Sequence, residues 1–525
     1  MASFVDERTL LYAGLVVCVT IITYLSLSQR QKEVVFSRLI LRGRRSSSAD
    51  TPPRSLSPEK VPANSQPKSS EYVSAFPPLT RENLPEAAAE LPEERRKVLE
   101  TSTFDEEKWT KSILGFEDDF RKADPDKYIY TGYKVKEIRA LGDFPNYSAL
   151  SGVPLPQAYP QHDITKALPR PYRPFRWAYH QTMSLTKLEP DWWLELENTY
   201  VSRINQRKKL YAQHGEAVLQ WLPGSELACK ELMEMALQFL CARYPQYFKL
   251  HADKKTFENK ILGTTQDVSA KHPLLVLLDN VPEDFAITLR NPETGYYHFR
   301  AGMICSALGW NVGSKIGLQL HEIHAPIPDY KEKMQFSMDR YANPSSQHDN
   351  ARKGNANSAL HSFFTKMPAS KPIQRGSWGL EVDQPLYMPP GDPHEKLRDF
   401  QSPDLDISRI HLRVDWQTLR RLPLSGGIVF NFKALFTPVT EFRDEPYLPS
   451  LALKVLKEGK ENLMKYKNTW HVEHVVIPAL EEYQREQVAK GIVEKDWPCH
   501  TLDESPWFPG WKEKWVRQQG FAPPE

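Results

Sequence analysis

Period-two spacing collects three polar side chains on one side of the segment RIHLRVDWQTLRRLP. His411, Arg413 and Asp415 alternate with Leu412 and Val414, so an extended chain presents them on one face. Two arrangements satisfy that pattern. In one, the face is solvated and Arg and Asp pair across a neighbouring strand. In the other, the face is the polar wall of a pocket, where Arg413 holds an anion or polarises an oxygen species. Gln417, Arg420 and Arg421 fall in the loop that follows, where a guanidinium fork suits a propionate or a phosphate.

A second candidate is GWNVGSKIGLQLHEIHAPIPDY. His321 and His324 lie three apart, and Pro326 and Pro328 stiffen the chain behind them. HEIH is one residue short of the HExxH of zinc proteases. A histidine beside proline commonly serves as a hydrogen-bonded loop residue. A stiff loop also suits an imidazole held in one orientation toward a haem iron. His471 and His474 form another i,i+3 pair, in a helical setting that favours surface or packing roles.

Several function classes lack support. There is no Walker A motif, no GxGxxG after a strand and no GxSxG, so nucleotide, flavin and hydrolase chemistry have no positive signal. The cysteines are Cys18, Cys229, Cys241, Cys305 and Cys499, with no CxxC or CxxCH. That spacing argues against an Fe–S cluster, a Cys-rich zinc site, a disulfide scaffold and c-type haem, and it fits a reducing compartment. Lys and Arg number 68 against 66 Asp and Glu, a net charge of +2 over 525 residues, too balanced for a general nucleic-acid binder.

The elements that must position these residues follow from periodicity. Helices are expected from Asp191, as cap, through DWWLELENTYVSRINQRKKLY, and from Ser225 through ELACKELMEMALQFLCARY, with Met233 and Met235 as core filler. Phe285–Leu289, the turn Asn291–Gly295 and Tyr296–Cys305 form a hairpin. Ser377–Tyr387, the strand at Ile410–Asp415 and Gly427–Phe436 bring the strands to five, mostly antiparallel. That pattern predicts an α+β fold with a curved antiparallel sheet and flanking helices. After Leu448 the chain is helical again. Trp497, Trp507, Trp511 and Trp515 then anchor the tail.

The first hundred residues have a different character. Leu10–Leu27 is uncharged and, at about 1.5 Å per residue, long enough for a hydrocarbon layer about 30 Å thick. Asp6, Glu7 and Arg8 precede it, so a membrane anchor fits better than a signal peptide. Arg30, Lys32, Arg38, Arg42, Arg44 and Arg45 place the following side in the cytosol. The expectation is a single-pass protein, its body cytosolic, on an internal membrane such as the endoplasmic reticulum. Pro is 43 of 525 residues and Gly 24, and part of that Pro excess lies in a Ser/Pro-rich stretch expected to be a disordered tether. The organisation is an anchor over 1–29, a basic then Ser/Pro-rich tether over 30–95, a wrapping segment over 96–171, a main domain over 172–456 with a polar insert at 342–362, and a helical, Trp-rich extension over 457–525.

In this order the motifs resemble the haem-dependent oxidative N-demethylase alpha-subunit family, also described as dimethylamine monooxygenase large-subunit-like. Its W..K.G..L..IH.PVP segment stands here as Trp310, Lys315, Gly317, Leu320 and Ile323-His324-Ala-Pro326-Ile-Pro328. Its RV[ED]RQTLRRLP is similar to Arg413-Val-Asp-Trp-Gln417-Thr-Leu-Arg420-Arg421-Leu-Pro423, followed by GGIVFNFKALFTP. Glu283-Asp284 resembles its acidic pair before a strand, and Trp193, Glu197, Tyr200 and Arg207-Lys208 resemble its opening. Three positions depart: Ser306-Ala307-Leu308 replaces Phe-Pro-Ser, Arg375-Gly-Ser377-Trp378 stands for R-x-N-W, and Trp416 replaces an arginine.

The resemblance implies a PAS-like haem-binding fold and NADPH-driven, O₂-dependent demethylation of a small secondary amine such as dimethylamine, giving formaldehyde. It implies His324 as the proximal iron ligand and Lys315, Arg420 and Arg421 as further haem contacts. Arg413, Asp415 and Gln417 are its candidate catalytic residues near the haem or oxygen pocket. Flavin and 2Fe–2S functions accompany the haem chain in bacterial members. Here the scattered cysteines imply that electrons come through a partner reductase. Partners are then that reductase, a small amine and the bilayer through residues 10–27, with no nucleic acid. A non-enzymatic haem sensor of gas or redox state, and a haem-free tethered adaptor, are the alternatives on the same fold.

Overall fold

Side-chain alternation along three long strands sets the architecture. The computed structural model describes residues 81–179, 184–327, 364 and 367–523. It opens with short helices α1 (Leu84–Ala88), α2 (Glu93–Thr101), α3 (Glu106–Lys111), α4 (Val135–Leu141) and α5 (Tyr147–Ser151). Then come β1 (Thr186–Lys187), α6 (Tyr200–His214), β2 (Leu219–Trp221) and α7 (Glu226–Arg243). Three short strands β3 (Phe248–Leu250), β4 (Thr256–Asn259) and β5 (Thr264–Asp267) form a small antiparallel sheet, followed by α8 (Pro273–Asn280). The hairpin β6 (Asp284–Arg290) and β7 (Tyr297–Met303) leads to the single-turn α9 (Leu320–Ile323). Then follow β8 (Ile373–Val382), β9 (Ile410–Arg421) and β10 (Ile428–Pro438). The chain closes with α10 (Leu448–Glu458), α11 (Glu461–Lys467), α12 (Trp470–Ala489) and α13 (Trp511–Gln519).

The main sheet runs β1-β8-β9-β10-β6-β7-β2, antiparallel throughout. It contains the five strands expected from periodicity, with β1 and β2 added at its edges. Its two faces bury different clusters. Leu412, Val414 and Trp416 of β9 point into the larger core, shared with α7, α10 and α12. Leu419 of β9, Phe430 of β10 and Ala286 of β6 point the other way, into a smaller cluster closed by Leu320 of α9. Helix α7 is buried nearly all round, including Met233 and Met235, as its apolar sequence requires.

The expected helix from Asp191 begins later. Pro190–Trp192 is one 3-10 turn, an irregular stretch follows, and α6 starts only at Tyr200. Asp191 caps nothing there. Its carboxylate accepts from Gln157 N at 2.8 Å and pairs with Arg243 at 3.2 Å. The irregular path lets Trp193, Leu194 and Leu196 all enter the core while Glu195 and Glu197 turn to buried cations.

Two expectations about the amino-terminal part are corrected. Residues 81–95 belong to the folded body rather than to a tether: Leu84, Ala87 and Ala88 are buried, and Arg81 forks onto Glu137 at 2.9 and 2.6 Å. The single-pass membrane placement is also set aside. Among the described residues no helix is long and apolar enough to cross a membrane. The segment on which that placement rested, Leu10–Leu27, lies outside the described residues, as does the polar insert 342–362. At the other end, the Trp-rich tail packs on the body. Trp515 Nε1 donates to Leu168 O at 2.8 Å, and Lys514 joins Arg173 on the buried carboxylate of Glu445.

Candidate functional site

The face of the sheet that carries the smaller cluster is the one that gathers polar groups. Alternation along β9 sends Arg413, Asp415, Gln417, Leu419 and Arg421 to it. The register then adds Gly379, Ser377, Arg375 and Ile373 of β8 directly opposite the first four. Phe430 and Phe432 of β10 lie parallel on the same side, their ring centroids 6.3 Å apart.

Helix α9 is laid on this face by Leu320 and Ile323. Its start is fixed by Glu322, whose carboxylate accepts from Gln319 N at 2.7 Å. Its end is tied by Lys315, whose Nζ donates to Ile323 O at 3.1 Å. His324 is the residue immediately after. Its backbone N–H and its Nδ1 both address the Leu320 carbonyl, at 3.1 and 2.7 Å. A carbonyl oxygen only accepts, so Nδ1 carries the proton and Nε2 keeps its lone pair. Burial pushes the ring's pKa down to about 4, with the charges of Arg375 and Lys315 adding to it against the Leu320 hydrogen bond. His324 is thus a neutral imidazole of fixed tautomer, which is the form that ligates a metal.

Two cations share this region. Arg375 stands opposite Gln417, and its Nε is buried with no hydrogen-bond partner. Lys467, the last residue of α11, donates to Ser377 Oγ at 3.0 Å and lies 5.2 Å from the Trp378 ring centroid. Burial lowers the Lys467 ammonium to about 7, with Arg375 acting in the same direction and Asp415 against it. Asp415, the acid of this face, is engaged by Arg413 at 2.9 Å.

The residues singled out by sequence are distributed unevenly. Gln417, Arg420 and Arg421 lie within β9 and not in a loop after it, because the β9–β10 pairing continues to Arg421↔Ile428. Arg413 is fully employed: it binds Asp415, Pro385 O and Ser306 O, with its guanidinium 5.6 Å from the Phe436 ring centroid. Arg421 shares the face of Gln417 but clamps main chain, donating to Met367 O at 2.7 Å, Gly426 O at 2.6 Å and Phe364 O. Arg420 points to the opposite face, 4.0 Å from the Trp193 ring centroid, so the fold separates it from His324. His411 contacts Arg409 O and Gln384, and His471 and His474 contact Asn468 O and Ser402 O as packing residues. Arg375 and Lys467 were not among the sequence candidates. The period-two run through Arg375, Ser377 and Gly379 carried a signal for the first; nothing local marks Lys467.

The set fits a haem. An apolar cluster that includes Leu419, Phe430, Phe432 and Ile373 suits the macrocycle, a neutral imidazole suits an axial ligand, and Arg375 and Lys467 suit two propionates. The buried Nε of Arg375 has no hydrogen-bond partner within the chain, which suits an anion at this position. No group of three or more His, Cys, Asp or Glu side chains converges to hold a bare metal ion among the described residues. A haem iron asks only for an axial side chain.

Comparison with known families points to the same chemistry. A family model described as "Haem-dependent oxidative N-demethylase, alpha subunit-like" matches residues 184–477, more than half of the chain, from just before β1 into α12. His324, Arg375, the whole of β9 and Lys467 all fall inside the match. The function it carries is that of a haem-dependent oxidoreductase, and the chain belongs to the haem-dependent oxidative N-demethylase, alpha subunit-like family.

Proposed function

We propose that this protein is a monooxygenase that removes a methyl group from a small secondary or tertiary amine, using haem, O₂ and electrons from a partner reductase. The observation that carries this reading is His324, held as a neutral imidazole by the Leu320 carbonyl beside the Arg375–Gln417 pair. A PAS-like description of the fold is supported by the strand order β8-β9-β10-β6-β7 with the His324 segment between β7 and β8.

Haem, when bound, supplies the iron at which O₂ is reduced. The protein's own residues do the rest. His324 offers Nε2, and the hydrogen bond at Nδ1 fixes the ring plane and raises ligand basicity. Arg375 and Lys467 would hold the two haem carboxylates. Leu419, Phe430 and Phe432 exclude water from the wall between them. Gln417, opposite Arg375, would offer its side-chain amide to the substrate amine. Asp415 is 41% exposed and fixed by Arg413, so it can pass protons between solvent and this face. The balance is R₂N–CH₃, O₂, two electrons and two protons giving R₂N–CH₂OH and water. The carbinolamine C–N bond then breaks as the hydroxyl proton moves to nitrogen, releasing R₂NH and formaldehyde. The five scattered cysteines support a partner as the source of flavin and 2Fe–2S chemistry fed by NADPH.

The test is formaldehyde release. Full-length, haem-loaded protein with dimethylamine, NADPH, O₂ and a surrogate reductase is expected to yield one formaldehyde per amine demethylated. Haem binding without formaldehyde from dimethylamine or any other N-methyl amine would instead indicate a sensor.

A further inference from the structure

The strands carry three carboxylates on the His324 face of the sheet, and each already has its own arginine. Asp415 of β9 is held by Arg413 at 2.9 Å, Asp284 of β6 by Arg207, and Glu381 of β8 by Arg398. The register puts them on one face: Asp284 stands opposite Phe432, Phe432 opposite Gln417 and Gln417 opposite Arg375, with Asp415 and Glu381 in step along β9 and β8. Three cations beside them are left over. Arg375 lies on the face itself, Lys467 donates to the Ser377 hydroxyl, and Lys315 donates to the Ile323 carbonyl. No ion pair engages any of the three among the described residues. They act on one another and on the same ring: the charge of Arg375 reaches both Lys467 and His324, and that of Lys315 reaches His324. The acid whose charge reaches Lys467 is Asp415, which Arg413 already occupies.

Haem brings two carboxylates, so one positive charge of the three stays unanswered when it binds. Protonated dimethylamine is itself a cation, and a surplus of like charge repels it. A substrate that carries a carboxylate close to its N-methyl group supplies the missing negative charge, and both guanidinium and ammonium groups take carboxylates well. We propose that the preferred substrate is an N-methylated α-amino acid, its carboxylate answering the surplus charge of Arg375, Lys315 and Lys467 and its methylated nitrogen turned toward Gln417. This inference rests on the haem monooxygenase reading and names the substrate class within it. For N,N-dimethylglycine the balance is (CH₃)₂N–CH₂–COO⁻, O₂, two electrons and two protons giving CH₃NH–CH₂–COO⁻, formaldehyde and water, with the electrons from the partner reductase.

N,N-dimethylglycine is the probe. Its amide keeps both methyl groups without the carboxylate, and dimethylamine lacks that arm altogether. Calorimetry on full-length, haem-loaded protein is expected to show N,N-dimethylglycine binding roughly tenfold or more tighter than either. Formaldehyde release should follow the same order. Lys315→Glu reverses a charge at a half-buried position and is expected to bring the acid and the amide to within about twofold of each other. The acid–amide comparison on the parent needs no variant and decides the matter if Lys315→Glu does not fold. Amide bound as tightly as acid by the haem-loaded parent, or an unchanged acid–amide ratio in folded Lys315→Glu, would overturn the proposal and leave the haem reading standing. A chain with no Soret band after reconstitution would overturn both.

Discussion

Arg375 of β8 stands directly opposite Gln417 of β9, with its Nε buried and unpartnered beside the charge-sensitive ring of His324. A half-buried cation whose Nε lacks a partner adds little to the haem-free chain and stabilises the complex with an anion. Arg375→Met is therefore expected to leave haem-free stability unchanged or raise it by about 1 kcal/mol, while haem affinity falls at least tenfold. Urea unfolding and haem transfer to a scavenger protein read the two effects. Unchanged haem affinity would remove Arg375 from the site.

Arg413 has the opposite character. It is 3% exposed and joins β9 to the main-chain carbonyls of Ser306 and Pro385 as well as to Asp415. Arg413→Ala should destabilise by about 3–5 kcal/mol, because the buried guanidinium ties two main-chain carbonyls and the Asp415 carboxylate together and all three lose their donor. Asp415→Asn, at a partly exposed carboxylate, should cost about 1 kcal/mol or less. Equal urea midpoints for the Arg413 variant and the parent would show that the residue is available for chemistry rather than for cohesion.

Lys467 gives a pH signature. Its pKa falls from 10.5 to about 7 on folding, chiefly through burial. Between those values the unfolded chain holds a proton that the folded chain lacks, so stability rises with pH across the window. Lys467→Met removes that contribution. The slope of unfolding free energy between pH 7 and about 9.5 should be flatter in the variant, and flatter in the parent once haem carboxylates are near. Identical slopes in variant and parent would refute the assignment.

Gly376 permits the close approach of a neighbour. A Cβ there would lie 2.4 Å from Tyr172 Cε1 and 3.3 Å from Pro174 Cβ. Gly376→Ala should lower stability by about 1–3 kcal/mol, with much of the loss restored by Tyr172→Leu. A thermal-unfolding cycle over the four proteins shows the coupling; additive losses would mean that the ring is not the obstacle.

Much of this was legible in the sequence where the pattern is local. The alternation of Ile410 to Asp415 marks β9, the Asn291–Gly295 turn marks the β6–β7 hairpin, and the two prolines that follow His324 single its loop out. Long-range pairings were not legible. Trp193, Leu196, Tyr200 and Ile204 recur at helical spacing, yet Arg170 and Lys433, distant in sequence, draw Glu195 and Glu197 into buried ion pairs and keep the segment irregular. Arg420 and Arg421 read as loop residues in the sequence because nothing local shows that pairing with β10 extends their strand, and the extension sends them to opposite faces. Lys467 reaches the site only because α11 docks on β8.

The central claim is that His324 ligates a haem on this face of the sheet. The direct measurement is the visible spectrum of the full chain after haem reconstitution, compared with His324→Ala with and without added imidazole. The expected result is a Soret band in the parent, an altered or lost band in the variant, and recovery of the parent spectrum on adding imidazole. Absence of a Soret band, or a variant spectrum identical to that of the parent, would contradict the account.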